Sequence, residues 1–184
     1  MNIFVVLFVL SIVFSSCTRY QGTSTRILHD LGVNYEVAKE IPHYPNADAV
    51  YDSEEDKIYV KKGKQQVYLI LHELMHKIRS DAGHEMGGGD ENHRFEEIIA
   101  VRAAVKLGRK AKLQLKVGKW EIPGLINKTL RANGIEPRRL TEKETEYIDK
   151  EIEKTVQLFV ELLKERGHSF DEVDWVRTAI LILL

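Results

Sequence analysis

The chain has 184 residues, 43% hydrophobic and 30% charged, so it is long and apolar enough to form a domain with a substantial core. Its formal net charge is −1 with the two signs mixed, so charge gives no reason to expect binding to nucleic acid, and we predict no nucleic-acid partner. A single cysteine excludes an intrachain disulfide, so core packing must stabilise the fold.

The first predicted element is an apolar N-terminal segment, residues 3–14. About twelve apolar residues suit the core of a signal peptide and fall short of the about 20 that a membrane-spanning helix needs. Ser15, Ser16 and Cys17 follow directly, and this arrangement resembles the site at which bacterial lipoproteins are acylated. We therefore expect residues 1–17 to be a signal peptide, Cys17 to be lipidated, and the mature protein to be exported and membrane-associated.

The charges around this segment favour a different topology. No lysine or arginine precedes the apolar run, whereas Arg19 and Arg26 follow it. The positive-inside rule then places the rest of the chain in the cytoplasm, behind a short membrane anchor. Both interpretations predict membrane association through the N-terminus, and a folded hydrophobic N-terminal segment is the third alternative.

A β-hairpin is predicted next. Residues 48–51 and 57–60 have the composition of two short strands, and they flank the polar segment 52–56. This strand pair lies directly before the most informative part of the chain.

The helix predicted over residues 65–79 carries the motif His-Glu-x-x-His. Its apolar residues recur at helical steps along one face: Val67, Leu71, Leu74 and Ile78. His72 and His76 are one turn apart, so both imidazoles can reach one metal ion, and Glu73 beside them can act as a general base. The alternative is that both histidines are ordinary, partly buried side chains.

A catalytic zinc site also needs a third protein ligand. We predict that the next helix begins near Arg94 and that Glu97 on this helix is the third ligand. Glu96 is an alternative ligand or a support for Glu97. His93 is a further alternative, although it lies beside the glycine-rich segment 87–89, a poor place from which to fix a ligand. Taken alone, this pair of glutamates would be explained as acidic charge at the start of a helix.

The sequence His72-Glu73-Leu74-Met75-His76, followed by Glu97-x-x-Ala100, resembles the gluzincin group of zinc metallopeptidases. The strand pair before the motif helix resembles the compact ImmA/IrrE-type metallopeptidases, in which an edge strand lies beside the cleft. The resemblance covers residues 47–105 and implies Zn²⁺ as the cofactor. We therefore predict a small zincin-like α+β domain, mostly helical, over residues 18–184.

Peptide-bond hydrolysis is the expected reaction. Zn²⁺ held by His72, His76 and Glu97 is expected to lower the pKa of its bound water, and Glu73 to take the proton as water attacks a peptide carbonyl. A protein or peptide substrate is expected to pair in extended form with the strand 57–60. Five side chains are candidates for the donor that stabilises the oxyanion: Tyr51, Tyr59, His84, His93 and His168.

The C-terminal half is predicted to be helical. One helix is expected over residues 122–133, with proline near its start. A capping box at 141–144 begins a long helix that ends at Gly167, and 169–172 is a second capping box. We expect the apolar terminus 179–184 to be buried in the core, or to contact a partner or a second copy of the chain.

Three classes of function follow. The first is a zinc-dependent endopeptidase that acts on a protein at or near the membrane. The alternative is a non-catalytic, zinc-stabilised, membrane-attached binding protein; Glu73 argues against it, because a structural zinc site needs no general base. The third is a helical protein in which the motif arose by chance.

Overall fold

A computed structural model describes residues 28–29, 31–64, 66–84, 89–110 and 121–167. Seven elements follow one another along this part of the chain: strands β1 (Tyr35–Ala38), β2 (Ala49–Asp52) and β3 (Lys57–Lys61), then helices α1 (Val67–Asp81), α2 (Asp90–Lys110), α3 (Ile122–Ala132) and α4 (Glu142–Glu165). The predicted α+β, mostly helical fold class is therefore confirmed. None of the described helices is both long enough and apolar enough to cross a membrane.

Several predictions fall on residues outside the described ranges. They are the N-terminal segment with Cys17, the candidate donor His168, the capping box at 169–172 and the apolar terminus 179–184. Lipidation, membrane association and an oligomer contact through the C-terminus therefore stay predictions from the sequence.

The three strands form one sheet in the order β1-β3-β2. β2 and β3 pair antiparallel with Val50 opposite Tyr59, which confirms the predicted hairpin. The carboxylate of Asp52 closes its turn by accepting the backbone N–H groups of Glu54 and Glu55 at 3.0 and 3.1 Å.

β1 was not predicted, and it changes the role of β3. It pairs with β3 in parallel, with Val37 opposite Val60, so β3 is the central strand. The prediction that the strand 57–60 pairs with an extended substrate is therefore wrong, since neighbours occupy both of its sides. The edge strands among the described residues are β1 and β2. Short and largely exposed, β1 lacks the apolar run that identifies a strand in sequence.

α1 is the central helix of the fold and packs against β2, α2 and α4. Its predicted apolar face is buried at Leu71, Leu74 and Ile78. α2 packs against α1 and carries small residues that are fully buried in the core: Ala100, Ala103 and Ala104. Both histidines of the motif lie on α1, so the site is built against the centre of the core.

α2 begins four residues earlier than predicted, at Asp90 rather than near Arg94. Asp90 and Glu91 occupy its first turn, where negative charge interacts favourably with the helix dipole. His93 therefore lies on the helix, one turn before Glu97, and not in a glycine-rich loop.

α3 and α4 lie where the sequence predicts them. The capping box of α4 is confirmed, because Thr141 Oγ1 accepts the Glu144 N–H while the Glu144 carboxylate accepts the Thr141 N–H at 2.7 Å. One face of α4 is buried against the other helices through residues spaced at helical steps: Ile148, Ile152, Val156, Phe159 and Leu163.

Candidate metal centre

The two histidines of the motif converge on one point. His72 and His76 are each only 6% exposed, and their rings meet edge-to-face with centroids 4.7 Å apart. Their Nε2 atoms are 3.3 Å apart. This convergence follows from the helix, because residues four apart lie on the same face, one turn after the other.

Glu97 brings a carboxylate to the same point from α2. Its Oε2 is 3.3 Å from Nε2 of His72, and its Oε1 is 3.6 Å from Nε2 of His76. Glu97 is 6% exposed, so all three side chains are buried. One atom from each residue lies within 4.8 Å of the other two. The group His72–His76–Glu97 can therefore hold a metal ion.

The spacing of these atoms fits a tetrahedral ion. Two ligands that each lie about 2.0–2.1 Å from a tetrahedral zinc are about 3.3 Å from one another. Although Glu97 Oε2 lies near His72, it has no partner in hydrogen-bond geometry among the described residues. A buried carboxylate oxygen without a partner is costly, and an ion between the three side chains would satisfy it.

Charge is distributed unevenly within the group. Burial raises the pKa of Glu97, but attraction by His76 and contacts with His72, His76 and His93 outweigh it and hold this pKa well below its usual range. Burial lowers the pKa of His72, yet its contacts with Glu97 and the charge of Glu73 raise it overall. The opposite directions of these two shifts favour a proton on His72 over one on Glu97 in the metal-free group, and a metal that binds His72 must displace that proton.

Glu73 lies beside the ligand group without joining it. Its side chain is buried, and its Oε1 is 4.0 Å from Nε2 of His72. Its Oε2 accepts the backbone N–H of Tyr51 at 2.8 Å. One carboxylate oxygen is thus bound to strand β2 and the other lies near the point where the ligands converge, which suits a proton acceptor.

The structure does not bring Glu96 to the metal centre. Adjacent residues on a helix are rotated by about 100° around its axis, so Glu96 and Glu97 lie on different faces of α2. Glu96 forms a two-pronged ion pair with Arg79, whose Nε and Nη2 atoms are 2.7 and 2.6 Å from its carboxylate oxygens. Glu97 is therefore the carboxylate that faces the histidines.

His93 lies at the rim of the group. Its Nε2 is 3.3 Å from Oε1 of Glu97, and its side chain is 39% exposed. The contact with Glu97 raises the pKa of His93. His93 therefore contacts Glu97 from the solvent-facing side of the group.

Of the other predicted oxyanion donors, the three that the structure describes have partners elsewhere. The Tyr51 hydroxyl donates to Asp56 at 3.1 Å, and the Tyr59 hydroxyl donates to Glu55 at 2.5 Å. His84 lies near the Arg79 guanidinium and 3.8 Å from Glu151.

Tyr68 also lies beside the metal-ligand group, and the sequence analysis did not identify it as a residue of the site. Its ring centroid is 6.1 Å from that of His72, and its buried hydroxyl has no hydrogen-bond partner among the described residues. Burial, together with the charges of Glu73 and Glu97, raises the pKa of this hydroxyl. Its position one helical turn before His72 is the sequence signal that could have identified it.

No protein-family model, curated protein or solved structure matches this chain. Any inference about function therefore rests on the geometry of the site and the chemistry of its residues.

Proposed function

We propose that the protein is a zinc-dependent endopeptidase that hydrolyses a peptide bond with Glu73 as the general base. The observation that carries this proposal is the convergence of His72, His76 and Glu97 on one buried point, with Glu73 beside them and outside the ligand group. Two imidazoles and one carboxylate are a ligand set of catalytic zinc sites, which keep one position open. The resemblance of the two motifs to gluzincin metallopeptidases supports the same conclusion.

The residues of the chain divide the work of the reaction. His72, His76 and Glu97 would hold zinc, which when bound supplies a Lewis acid and lowers the pKa of water at its open position. Oε1 of Glu73 takes a proton from the attacking water, because Oε2 already accepts the backbone N–H of Tyr51 in strand β2. The same oxygen then delivers the proton to the leaving amine.

Strand β2 is the support we propose for an extended substrate. It is an edge strand that lies against α1 and reaches Glu73 through the backbone of Tyr51. Because Glu73 accepts the Tyr51 N–H, a peptide would have to pair with the other outward-facing backbone groups of β2, and such main-chain hydrogen bonds do not depend on its side chains. The proposed substrate class is therefore an extended segment of a protein or peptide. It would pair with β2, and not with β3 as the sequence analysis predicted.

The proposal is tested by metal content and cleavage in the purified full-length protein. Mass spectrometry of the metal should find about one zinc per chain in the wild type and in Glu73→Gln. Cleavage of a pool of fluorescence-quenched peptides should fall by about 10²–10⁴-fold in Glu73→Gln, the usual contribution of a general base.

Two outcomes would contradict the proposal in different ways. Full cleavage by Glu73→Gln would remove Glu73 from the mechanism. Zinc binding by a wild type that cleaves no peptide in the pool would favour the non-catalytic, zinc-stabilised binding protein.

A further inference from the structure

The backbone groups of β2 alternate between facing β3 and facing outward. Antiparallel pairs alternate between residues that exchange two hydrogen bonds and residues that exchange none. The Lys61 N–H donates to the Asp48 carbonyl at 2.8 Å, and Val50 lies opposite Tyr59 in the same register. Asp48 and Val50 therefore direct their backbone groups toward β3, while Tyr51 directs its own away from β3.

The outward-facing N–H of Tyr51 donates to Glu73 Oε2 at 2.8 Å. This bond joins the edge of the sheet to the side chain we assign as the general base. A glutamate side chain has three rotatable bonds, so a helix alone does not orient its carboxylate. With Oε2 bound to the strand, the remaining oxygen Oε1 is the one that lies 4.0 Å from Nε2 of His72.

A second set of contacts keeps this N–H in place. Lys77, one turn after Glu73 on α1, lies with its Nζ 5.9 Å from the centre of the Tyr51 ring. The same Nζ is 2.5 Å from Asp56, which also accepts the Tyr51 hydroxyl. The side chain of Tyr51 thus ties β2 to α1, while its backbone contacts Glu73.

We infer that the backbone N–H of Tyr51 is a positioning group for the general base, holding Oε2 of Glu73 so that Oε1 faces the ligand group. Its catalytic consequence rests on the proposed peptidase function, whereas the bond itself does not. A positioning group acts by fixing the geometry of a reacting group before reaction, and a misplacement of 1 Å can reduce rates about 10²-fold.

Amide hydrogen exchange measured by NMR on the full-length protein tests the bond without any need for activity. The Tyr51 amide should be protected in the wild type and in Glu73→Gln, which keeps an acceptor oxygen. In Glu73→Ala the Tyr51 amide should exchange about tenfold faster or more, because it loses the protection given by a hydrogen bond to a charged acceptor. The amide of Leu74, in the core of α1, serves as the reference for global opening. Unchanged exchange of Tyr51 in Glu73→Ala would overturn the inference.

Proline substitution then tests the catalytic role. Proline is tolerated at outward-facing positions of edge strands, so Tyr51→Pro removes this N–H without removing a bond between β2 and β3. Tyr51→Ala removes the same ring but keeps the N–H. We expect Tyr51→Pro to bind one zinc per chain and to lower kcat by about 10–100-fold relative to Tyr51→Ala, with little change in KM. The substrate is the quenched peptide that the wild type cleaves fastest.

The other edge of the sheet offers a matched control. The Ile58 N–H donates to the Asn34 carbonyl and the Lys62 N–H to the Ala38 carbonyl, so Val37 also faces outward, at the far edge. Val37→Pro should leave kcat unchanged. Equal kcat in Tyr51→Pro and Tyr51→Ala would refute the positioning role. A wild type without activity would instead refute the peptidase proposal, and the exchange result would still stand.

Discussion

Two buried charged clusters lie side by side on α1 and α2, and they differ in how fully their polar atoms are paired. In the first, Arg79 is completely buried and donates to Glu96, Glu151 and Thr155. In the second, the metal-ligand group, three buried polar atoms have no hydrogen-bond partner among the described residues: Nδ1 of His72, Nδ1 of His76 and Oε2 of Glu97. Glu96 and Glu97 are neighbours in sequence, yet each belongs to a different cluster.

We interpret this difference as one between a structural cluster and a candidate metal-binding cluster. Arg79 reaches α2 through Glu96 and α4 through Glu151, so its cluster is complete and joins three helices. Buried polar groups in folded proteins are nearly always paired, and each exception requires an explanation. At the metal-ligand group, the ion we propose would satisfy Oε2 of Glu97. The two Nδ1 atoms lie across their rings from the converging Nε2 atoms, so the ion would not contact them.

Breaking the Arg79 cluster is expected to have the largest effect on the free energy of unfolding. Arg79→Met leaves the buried carboxylates of Glu96 and Glu151 without their cation, and removing one partner of a buried ion pair costs about 3–5 kcal/mol. We expect the free energy of unfolding, measured in urea by circular dichroism, to fall by this amount. Arg102→Met is the matched control, because Arg102 pairs with Asp149 at the surface and such pairs contribute about 0–1 kcal/mol. An equal effect of the two substitutions would show that the Arg79 cluster does not hold the helices together.

Neutralising each of the two neighbouring glutamates in turn separates the roles of the two clusters. Glu97→Gln should weaken zinc binding by more than about 100-fold, since losing residues that merely support ligands already costs about 10–100-fold. Glu96→Gln should keep zinc affinity but reduce the free energy of unfolding by about 2–3 kcal/mol, the upper range for hydrogen bonds to charged groups.

A competition titration with a chromogenic chelator measures the affinities, and urea unfolding measures the stabilities. Zinc at 100 times its Kd should stabilise the wild type by about 2.7 kcal/mol and leave Glu97→Gln unaffected. Loss of zinc from Glu96→Gln with retention by Glu97→Gln would reverse our assignment of the two glutamates.

A third cluster, in which Arg138 pairs with Glu91 and Glu144, is exposed. We expect changes in it to have the smallest effect on stability. The side chain of Arg138 and the backbone N–H of Thr141 lower the pKa of Glu144 to about 2. Because the folded-state pKa lies below the unfolded value of 4.5, Glu144 stabilises the fold above about pH 4.5, and this contribution is lost as the pH falls toward 2.

Unfolding midpoints between pH 6 and pH 2 test this contribution. Glu144→Gln should flatten the decline below pH 4.5, and 1 M salt should reduce the difference, since exposed charges are screened. Glu146→Gln, on the same helix, is the control. An identical decline in the wild type and in Glu144→Gln would show that the exposed cluster adds nothing measurable.

Short-range regularities in the sequence determined much of this structure. The spacing of His72 and His76 specifies their convergence, because any α-helix brings residues four apart to one face. The hairpin and the capping box at Thr141 are also local, since their strands, turn and caps lie within a few residues of one another. These features were predictable because each depends on hydrogen bonds and periodicities within one short segment.

Tertiary packing decided what local periodicity does not contain. Nothing in the pair Glu96-Glu97 states which carboxylate meets the histidines. The rotation of α2 about its axis decides it, and the packing of α2 in the core fixes that rotation. The central place of β3 required β1, a strand that pairs from outside the hairpin. The bond from Tyr51 to Glu73 depends on both the register of β2 and its docking on α1, contacts that form only when distant segments meet.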